Sequence, residues 1–396
     1  MKLKTSFVCQ QCGYETPQWY GKCPSCDSWN SLVETVKEAH VQRSTVNGQS
    51  ERIGARPQKL SEVRHIEKNR LKSGFEEFDR VMGGGIVPGS VTLLAGDPGI
   101  GKSTLILHVL SRIGGLYISG EESAEQVKLR AKRLGIRGEN ISILAETNVE
   151  AILPLLSGFS FQSSESGERD TQLIGQPRTD NAVPLVIIDS IQTLSSDSLE
   201  GMPGAVGQIR RSAELLTGEA KRRGIPIVII GHVTKEGAIA GPKVLEHMVD
   251  TVLYLEGERF ATARILRTLK NRFGAVEEVG IFEMGEKGLI EVDNPSKLFL
   301  EDRVLNVPGS VVTVLMEGTR PVLVEIQGLV VPTSLPMPRR VANGFDYNRL
   351  QLLLAILQKR LSLPLGTFDV FVNISGGLRI GEPAADLAVV LAVLSS

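Results

Sequence analysis

Residues 96–103 read Gly-Asp-Pro-Gly-Ile-Gly-Lys-Ser, a match to GxxxxGK[ST]. No other feature constrains the fold as much, because this pattern works only at the turn from a buried strand into a helix. The required context is present: the strand-like run SVTLLA precedes it and the helical stretch TLILHVL follows. Gly99 and Gly101 allow backbone N–H groups to turn inward around phosphate oxygens. Lys102 is expected to reach the β- and γ-phosphates, and Ser103 to hold Mg²⁺. Gly96, Asp97, Pro98, Ile100 and Thr104 complete the loop, so the expected ligand is ATP with magnesium.

The loop sits in an alternation of apolar runs and helical stretches over residues 61–290, which predicts an α/β domain with a largely parallel sheet. Its strand candidates are SVTLLAG, GLYISG, ISILAE, PLVIIDS, IPIVIIGHV and DTVLYLEG. Each is rich in β-branched residues or Leu, as strands buried on both faces are. Residues 158–183 interrupt the pattern with a polar, Ser- and Gln-rich stretch that reads as a mobile surface insertion.

Residues 291–396 read as a further α/β unit. A hairpin is expected over GSVVTVLMEGTRPVLVEIQGLV, a helix around NRLQLLLAILQKR and a strand at DVFVNI. The final apolar run, LAVVLAVLSS, reads as a helix without a cap or return strand, so the unit looks incomplete.

The four cysteines all lie in residues 1–35, as Cys9-x2-Cys12 and Cys23-x2-Cys26. Two such knuckles bring four thiolates into the tetrahedron that a structural Zn²⁺ prefers, leaving no open position for catalysis. So short a segment cannot build a core, and the metal would supply its folding energy. Trp19, Tyr20 and Trp29 are expected to pack against the knuckles, with base stacking the alternative. Residues 36–60 are polar and aperiodic and read as a linker.

With 42% hydrophobic and 22% charged residues, the composition is that of a protein with real cores. A net charge of −1 argues against a wholly nucleic-acid-coated protein but leaves room for a local basic channel. No run approaches the ~18 apolar residues of a membrane span. No apolar segment follows Lys2 and Lys4, so no secretory signal is read. A cytoplasmic location is expected, which also favours metal over disulfide for the cysteines.

Other chemistry is expected at strand ends. Asp189 closes PLVIID, where a Mg²⁺ carboxylate belongs after a P-loop, the alternative being a cap toward Ser190. Glu121 and Glu122 follow GLYIS, where either could orient or deprotonate the attacking water. An exposed helix N-terminus is the bland alternative for this pair. His232 ends IPIVIIG and could sense the γ-phosphate, or be a satisfied strand-end histidine.

In order, the finger, GDPGIGKST, YISGEES, LVIIDS, IIGHVTKEG and LKNRFG resemble the bacterial RadA (Sms) family of DNA-repair proteins over nearly the whole chain. That resemblance implies a RecA-like ATPase core and a hexameric ring threaded by single-stranded DNA. It also implies ATP-driven branch migration on recombination intermediates, with the RecA recombinase as partner. Lys270 and Arg272 of the Lys-Asn-Arg-Phe-Gly run then look like fingers acting on a neighbouring subunit's ATP. Side chains at alternating strand positions share a face, which suits such a pair. DNA is expected along SSDSLEGMPGAVGQIRR and TKEGAIAGPKVLEH, both read as loops, with Arg210, Arg211, Lys235 and Lys243 as phosphate contacts. The C-terminal unit resembles the proteolytic domain of Lon. Ala384 stands where Lon has its serine nucleophile and has no hydroxyl, so an inactive platform is expected rather than a protease. A clock-type KaiC ATPase acting through protein partners is the competing reading.

Lys102→Ala is expected to abolish ATP hydrolysis while the far-ultraviolet circular dichroism spectrum is unchanged. Normal turnover in that variant would remove the nucleotide-site assignment.

Overall fold

A computed structural model describes residues 4–9, 14–25, 27–29, 31–37, 59, 70–156, 185–232, 244–257, 262–301 and 303–396. The expected insertion at 158–183 lies outside the described residues. So does nearly all of the expected linker, although its first two residues belong to a strand ending at Lys37.

Strands β1 (Lys4–Cys9), β2 (Glu15–Thr16) and β3 (Leu32–Lys37) form a small antiparallel sheet in the order β2-β1-β3. Next come the helix α1 (Glu76–Val81) and strand β4 (Val91–Gly96), which leads into α2 (Lys102–Ile113). Strand β5 (Gly115–Ser119), helix α3 (Ala124–Arg133), strand β6 (Ile141–Ala145) and helix α4 (Val149–Leu156) follow. Strand β7 (Val186–Asp189), helix α5 (Val206–Arg223), strand β8 (Ile227–Ile230) and strand β9 (Thr251–Glu256) complete a parallel set. Three antiparallel strands, β10 (Ala263–Asn271), β11 (Val279–Gly285) and β12 (Gly288–Glu291), extend it. The order is β12-β11-β10-β9-β4-β8-β7-β5-β6.

All six strand candidates are therefore strands, and their parallel pairing is as expected. Their apolar residues serve two faces in turn. Leu94, Tyr117, Ile187, Val228 and Ile230 pack with α2, while Leu93, Ile118, Ile188, Ile227 and Ile229 pack with α4 and α5. Period-2 side-chain alternation explains this sorting, and burial on both faces explains why the runs show no polar alternation, except in β6, which lies at the sheet edge and is largely exposed, contrary to expectation. The antiparallel extension was not anticipated, because β10 and β11 mix charged with apolar residues.

Helix α6 (Pro295–Leu300) leads into a second sheet. It comprises β13 (Ser310–Glu317), β14 (Arg320–Pro332), β15 (Arg340–Asn343) and β16 (Phe368–Ile374), in the order β13-β14-β16-β15. Helices α7 (Tyr347–Leu361) and α8 (Asp386–Ser395) pack on it. The hairpin, helix and strand expected from the sequence are all present. The core of this unit is not its own, however: Ala263 and Ile265 of β10 and Val279 and Ile281 of β11 belong to it.

Two ion pairs fasten the same junction. Arg320 at the start of β14 reaches Glu77 of α1 at 2.5 Å, and Arg267 of β10 reaches Glu317 of β13 at 2.6 Å. Glu77 is nearly fully buried and also accepts the Ile281 N–H at 2.9 Å. Among the described residues no helix is long and apolar enough to cross a membrane.

Glu77→Ala strands a half-buried guanidinium and a strand N–H, a loss of about 3 kcal/mol by analogy with broken buried pairs. A lower thermal midpoint is expected, with Arg320→Ala lowering it less. An unchanged midpoint in Glu77→Ala would show that the junction does not depend on this pair.

Candidate nucleotide site

The sheet brings four chemically distinct groups to one edge. Strands β4, β8, β7 and β5 are consecutive neighbours and run parallel. Their C-terminal ends therefore present the P-loop, His232, Asp189 and Glu121 side by side, at the edge where open α/β sheets bind ligands.

The P-loop backbone turns through Gly99 at φ 78° and Gly101 at φ 115°, both in the left-handed region. Open space surrounds the position a Cβ would take at Gly99, whereas at Gly101 it would lie 2.7 Å from the Met284 side chain. The first glycine leaves room for a ligand and the second permits close packing. Lys102 is buried and donates to the carbonyls of Gly96 at 2.8 Å and Asp97 at 2.9 Å. Burial pushes its pKa down to about 8, against the pull of Asp189, Asp97 and Glu121. A desolvated ammonium held only by neutral carbonyls is poised for a stronger anion, as phosphate oxygens are. Ser103 follows on the first turn of α2. Arg264, buried on β10, donates to the Ile100 carbonyl at 3.2 Å and supports the loop from below. Nothing in the sequence singled out this arginine, because only tertiary packing brings β10 under the loop.

Asp189 is buried at the end of β7, where its Oδ2 accepts the Tyr117 hydroxyl and lies 3.7 Å from Arg130. Burial raises the Tyr117 pKa, with the Asp189 charge adding to the effect, so the hydroxyl stays a donor. Arg130 of α3 donates to Tyr117 Oη at 2.7 Å and reaches Glu122 at 2.8 Å. Glu121 faces the other way. Its Oε1 accepts from Ser190 Oγ at 2.5 Å and lies 3.3 Å from His232 Nε2. The His232 hydrogen bond, then that of Ser190 and the Lys102 charge, outweigh burial and bring the Glu121 carboxyl down to about 2. The two glutamates that the sequence left equivalent thus have different partners: Glu122 is tied to Arg130, and Glu121 stands among the strand-end groups. Tyr117 and Arg130 went unread, and Ser190 was read only as the target of an Asp189 cap, because their roles depend on crossover connections.

Lys270 and Arg272 lie elsewhere. Lys270 pairs with Val252, which pairs with Leu93, three residues before the P-loop begins. Arg272, just beyond β10, bonds through its N–H to the Asp250 carbonyl at 3.1 Å, level with the first residue of β4. Both cations therefore sit toward the N-terminal edge of the sheet, away from their own P-loop.

Arg210 and Arg211, expected in a loop, lie instead in the first turns of α5. Val206, Ile209, Ala213, Leu216 and Ala220 recur at helical spacing and are all buried, and this stripe outweighs the local Gly content. Arg211 pairs with Glu214 at 3.1 Å, and Arg210 is exposed. Lys235 and Lys243 lie outside the described residues.

In the N-terminal sheet Cys9 and Cys23 are buried, while Cys12 and Cys26 lie outside the described residues. The two knuckles close alike: Cys9 N–H donates to Tyr14 and Cys23 N–H to Ser28, both at 2.9 Å. The Ser25 N–H points at Cys23 Sγ at 3.4 Å, the kind of donor that steadies a metal-bound thiolate. These features fit a zinc site. Trp19, Tyr20 and Trp29 are all exposed, Trp29 by 74%, yet Trp19 donates its indole N–H to the Leu32 carbonyl at 3.2 Å, and the Trp19 and Trp29 rings both lie beside Gly21, next to the second knuckle.

One consequence concerns protons. At pH 8–9 Lys102 is partly neutral in the free protein, and phosphate oxygens would restore its charge. ATP binding there is expected to take up roughly half a proton at pH 8, about nine-tenths at pH 9 and only about a tenth at pH 7. Calorimetry in buffers of different ionisation enthalpy measures this, and a pH-independent proton count would exclude the buried-lysine account.

Similarity to known proteins agrees with this geometry. The KaiC family profile, an ATPase family, matches residues 71–297, and a rubredoxin metal-binding domain matches residues 7–34. A DNA repair protein RadA of Halalkalibacterium halodurans is 50% identical over 400 residues, covering 100% of this chain and 83% of that protein. A DNA repair protein RadA of Bacillus subtilis is 49% identical over 401 residues, with the same coverage. Among solved structures, the RadB recombinase matches 56% of this chain and 100% of its own, at 21% identity and a TM-score of 0.41. The chain belongs to the RadA family of DNA-repair proteins, with a RecA-like ATPase core and an N-terminal zinc ribbon.

Proposed function

We propose that this ATPase is a DNA-dependent motor that assembles as a hexameric ring on single-stranded DNA. In this reading it extends recombination intermediates by branch migration together with the RecA recombinase, in the cytoplasm. The observation that carries it is the separation of Lys270 and Arg272 from their own P-loop. Cations at the opposite edge of the sheet suit a site completed by a neighbour, which is what a ring provides.

Lys102 gives up its loop carbonyls for the phosphates, and Ser103 and Asp189 are the residues that would hold Mg²⁺. Bound magnesium supplies positive charge on the phosphate oxygens. Glu121 orients the attacking water: with its carboxyl at about 2 it stays ionised at neutral pH. His232 and Ser190 keep it in place, so a change at the γ-phosphate reaches His232 and the segment after it. Lys270 and Arg272 act in trans on the charge that develops at the phosphate. Arg210, Arg211, Lys235 and Lys243 are proposed to contact DNA phosphates. The C-terminal unit serves as a platform: Ala384 lies in the short turn before α8 and offers no nucleophile.

A partner-regulated ATPase of the KaiC type is disfavoured, since it needs neither the zinc ribbon nor the Lys-Asn-Arg-Phe-Gly run. The two readings part on one assay, ATP hydrolysis with and without single-stranded DNA at two salt concentrations. Stimulation several-fold at low salt and weaker at high salt is expected from phosphate contacts. An unchanged rate with no DNA binding would transfer the assignment to the partner-regulated class.

A further inference from the structure

The cations of the Lys-Asn-Arg-Phe-Gly run do not stand by themselves. Asp250, buried to 3% exposure, lies beneath them just before β9. Its Oδ2 accepts the Val91 N–H at 3.1 Å, which ties the carboxylate to the first residue of the P-loop strand. Its Oδ1 receives Arg272 at 3.2 Å and lies 3.7 Å from Lys221 of α5. Lys270 sits alongside, donating to the carbonyls of Val249 at 2.7 Å and Glu246 at 2.5 Å. Burial lowers the Lys270 pKa first, and repulsion from Arg272 and Lys221 lowers it further against the pull of Asp250 and Glu246. Two cations thus reach one buried carboxylate, with Lys270 held beside them by backbone carbonyls, while Arg272 and Lys221 keep about half of their side-chain surface in solvent.

The backbone beneath is equally constrained. The Asn271 side chain accepts the Phe273 N–H at 2.9 Å, and Arg70 donates to the Phe273 carbonyl at 2.7 Å. Gly83 and Gly274 approach so closely that a Cβ on Gly274 would lie 3.0 Å from the Gly83 Cα. Such a turn, carrying more cations than Asp250 neutralises, suits an anion from outside the chain.

We propose that Asp250 is a positioning residue for the trans-acting cations, holding Arg272 at the angle at which it meets the polyphosphate bound to a neighbouring copy of this chain. The proposal rests on the trans reading given above. Through Val91, the same carboxylate fixes the finger relative to the strand that carries its own P-loop.

The test is complementation between inactive subunits. Asp250→Asn and Arg272→Ala are each expected to lower turnover at least tenfold while binding a fluorescent ATP analogue as the parent does. Mixing either with Lys102→Ala subunits, which keep an intact finger but no working P-loop, is expected to restore part of the activity. A residue needed only for folding gives no such rescue. Failure of Arg272→Ala to recover at any ratio would refute the trans reading itself. Recovery of Arg272→Ala beside parental turnover in Asp250→Asn, or no recovery of Asp250→Asn, would overturn the role of Asp250 alone. So would loss of nucleotide binding in both Asp250→Asn and Asp250→Glu, which would make Asp250 a folding residue.

Discussion

Everything at the nucleotide site depends on the parallel pairing of β4, β8, β7 and β5. Parallel strands share a direction, so residues at the ends of four different segments meet at one edge. Apolar side chains enforce this arrangement: each strand buries both faces, and neither face can move to solvent without exposing Leu, Ile or Val. At about 25 cal/mol per Å² of apolar surface, slipping a strand by one residue costs far more than any polar contact at its end could recover. The site's polar groups therefore inherit their positions from the core.

Charge is the counterweight. Glu121, Glu122 and Asp189 crowd one edge, where like charges repel one another. The structure separates them by giving each its own donor. Arg130 takes Glu122 and approaches Asp189, Tyr117 donates to Asp189, and Ser190 and His232 take Glu121. Lys102 answers the remaining field while staying bonded only to carbonyls, which leaves it able to exchange them for phosphate oxygens.

The opposite edge of the sheet is organised around a single carboxylate, and the C-terminal unit is joined to the strands that carry it. Because β10 and β11 contribute to both cores, β10 connects the C-terminal core directly to Lys270. The pairs Arg320–Glu77 and Arg267–Glu317 brace that connection. Movement of one unit against the other would break buried contacts rather than slide along a solvated surface.

The sequence by itself determined the P-loop, the parallel strands and the two knuckle motifs, because each is local: a fixed spacing or an apolar run carries the whole physical requirement. The C-terminal hairpin and α7 were legible for the same reason. Strand-end acids could be located but not told apart, since Glu121 and Glu122 differ only in what α3, β7 and β8 bring to them. The helical placement of Arg210 and Arg211 was written in the apolar stripe of α5 but was masked by nearby glycines. Tertiary structure alone decided the strand order, the antiparallel extension, the support of the P-loop by Arg264 and the meeting of Arg272 and Lys221 on Asp250. These are contacts between residues far apart in the chain, and no local pattern encodes which buried carboxylate will lie beneath which exposed cation.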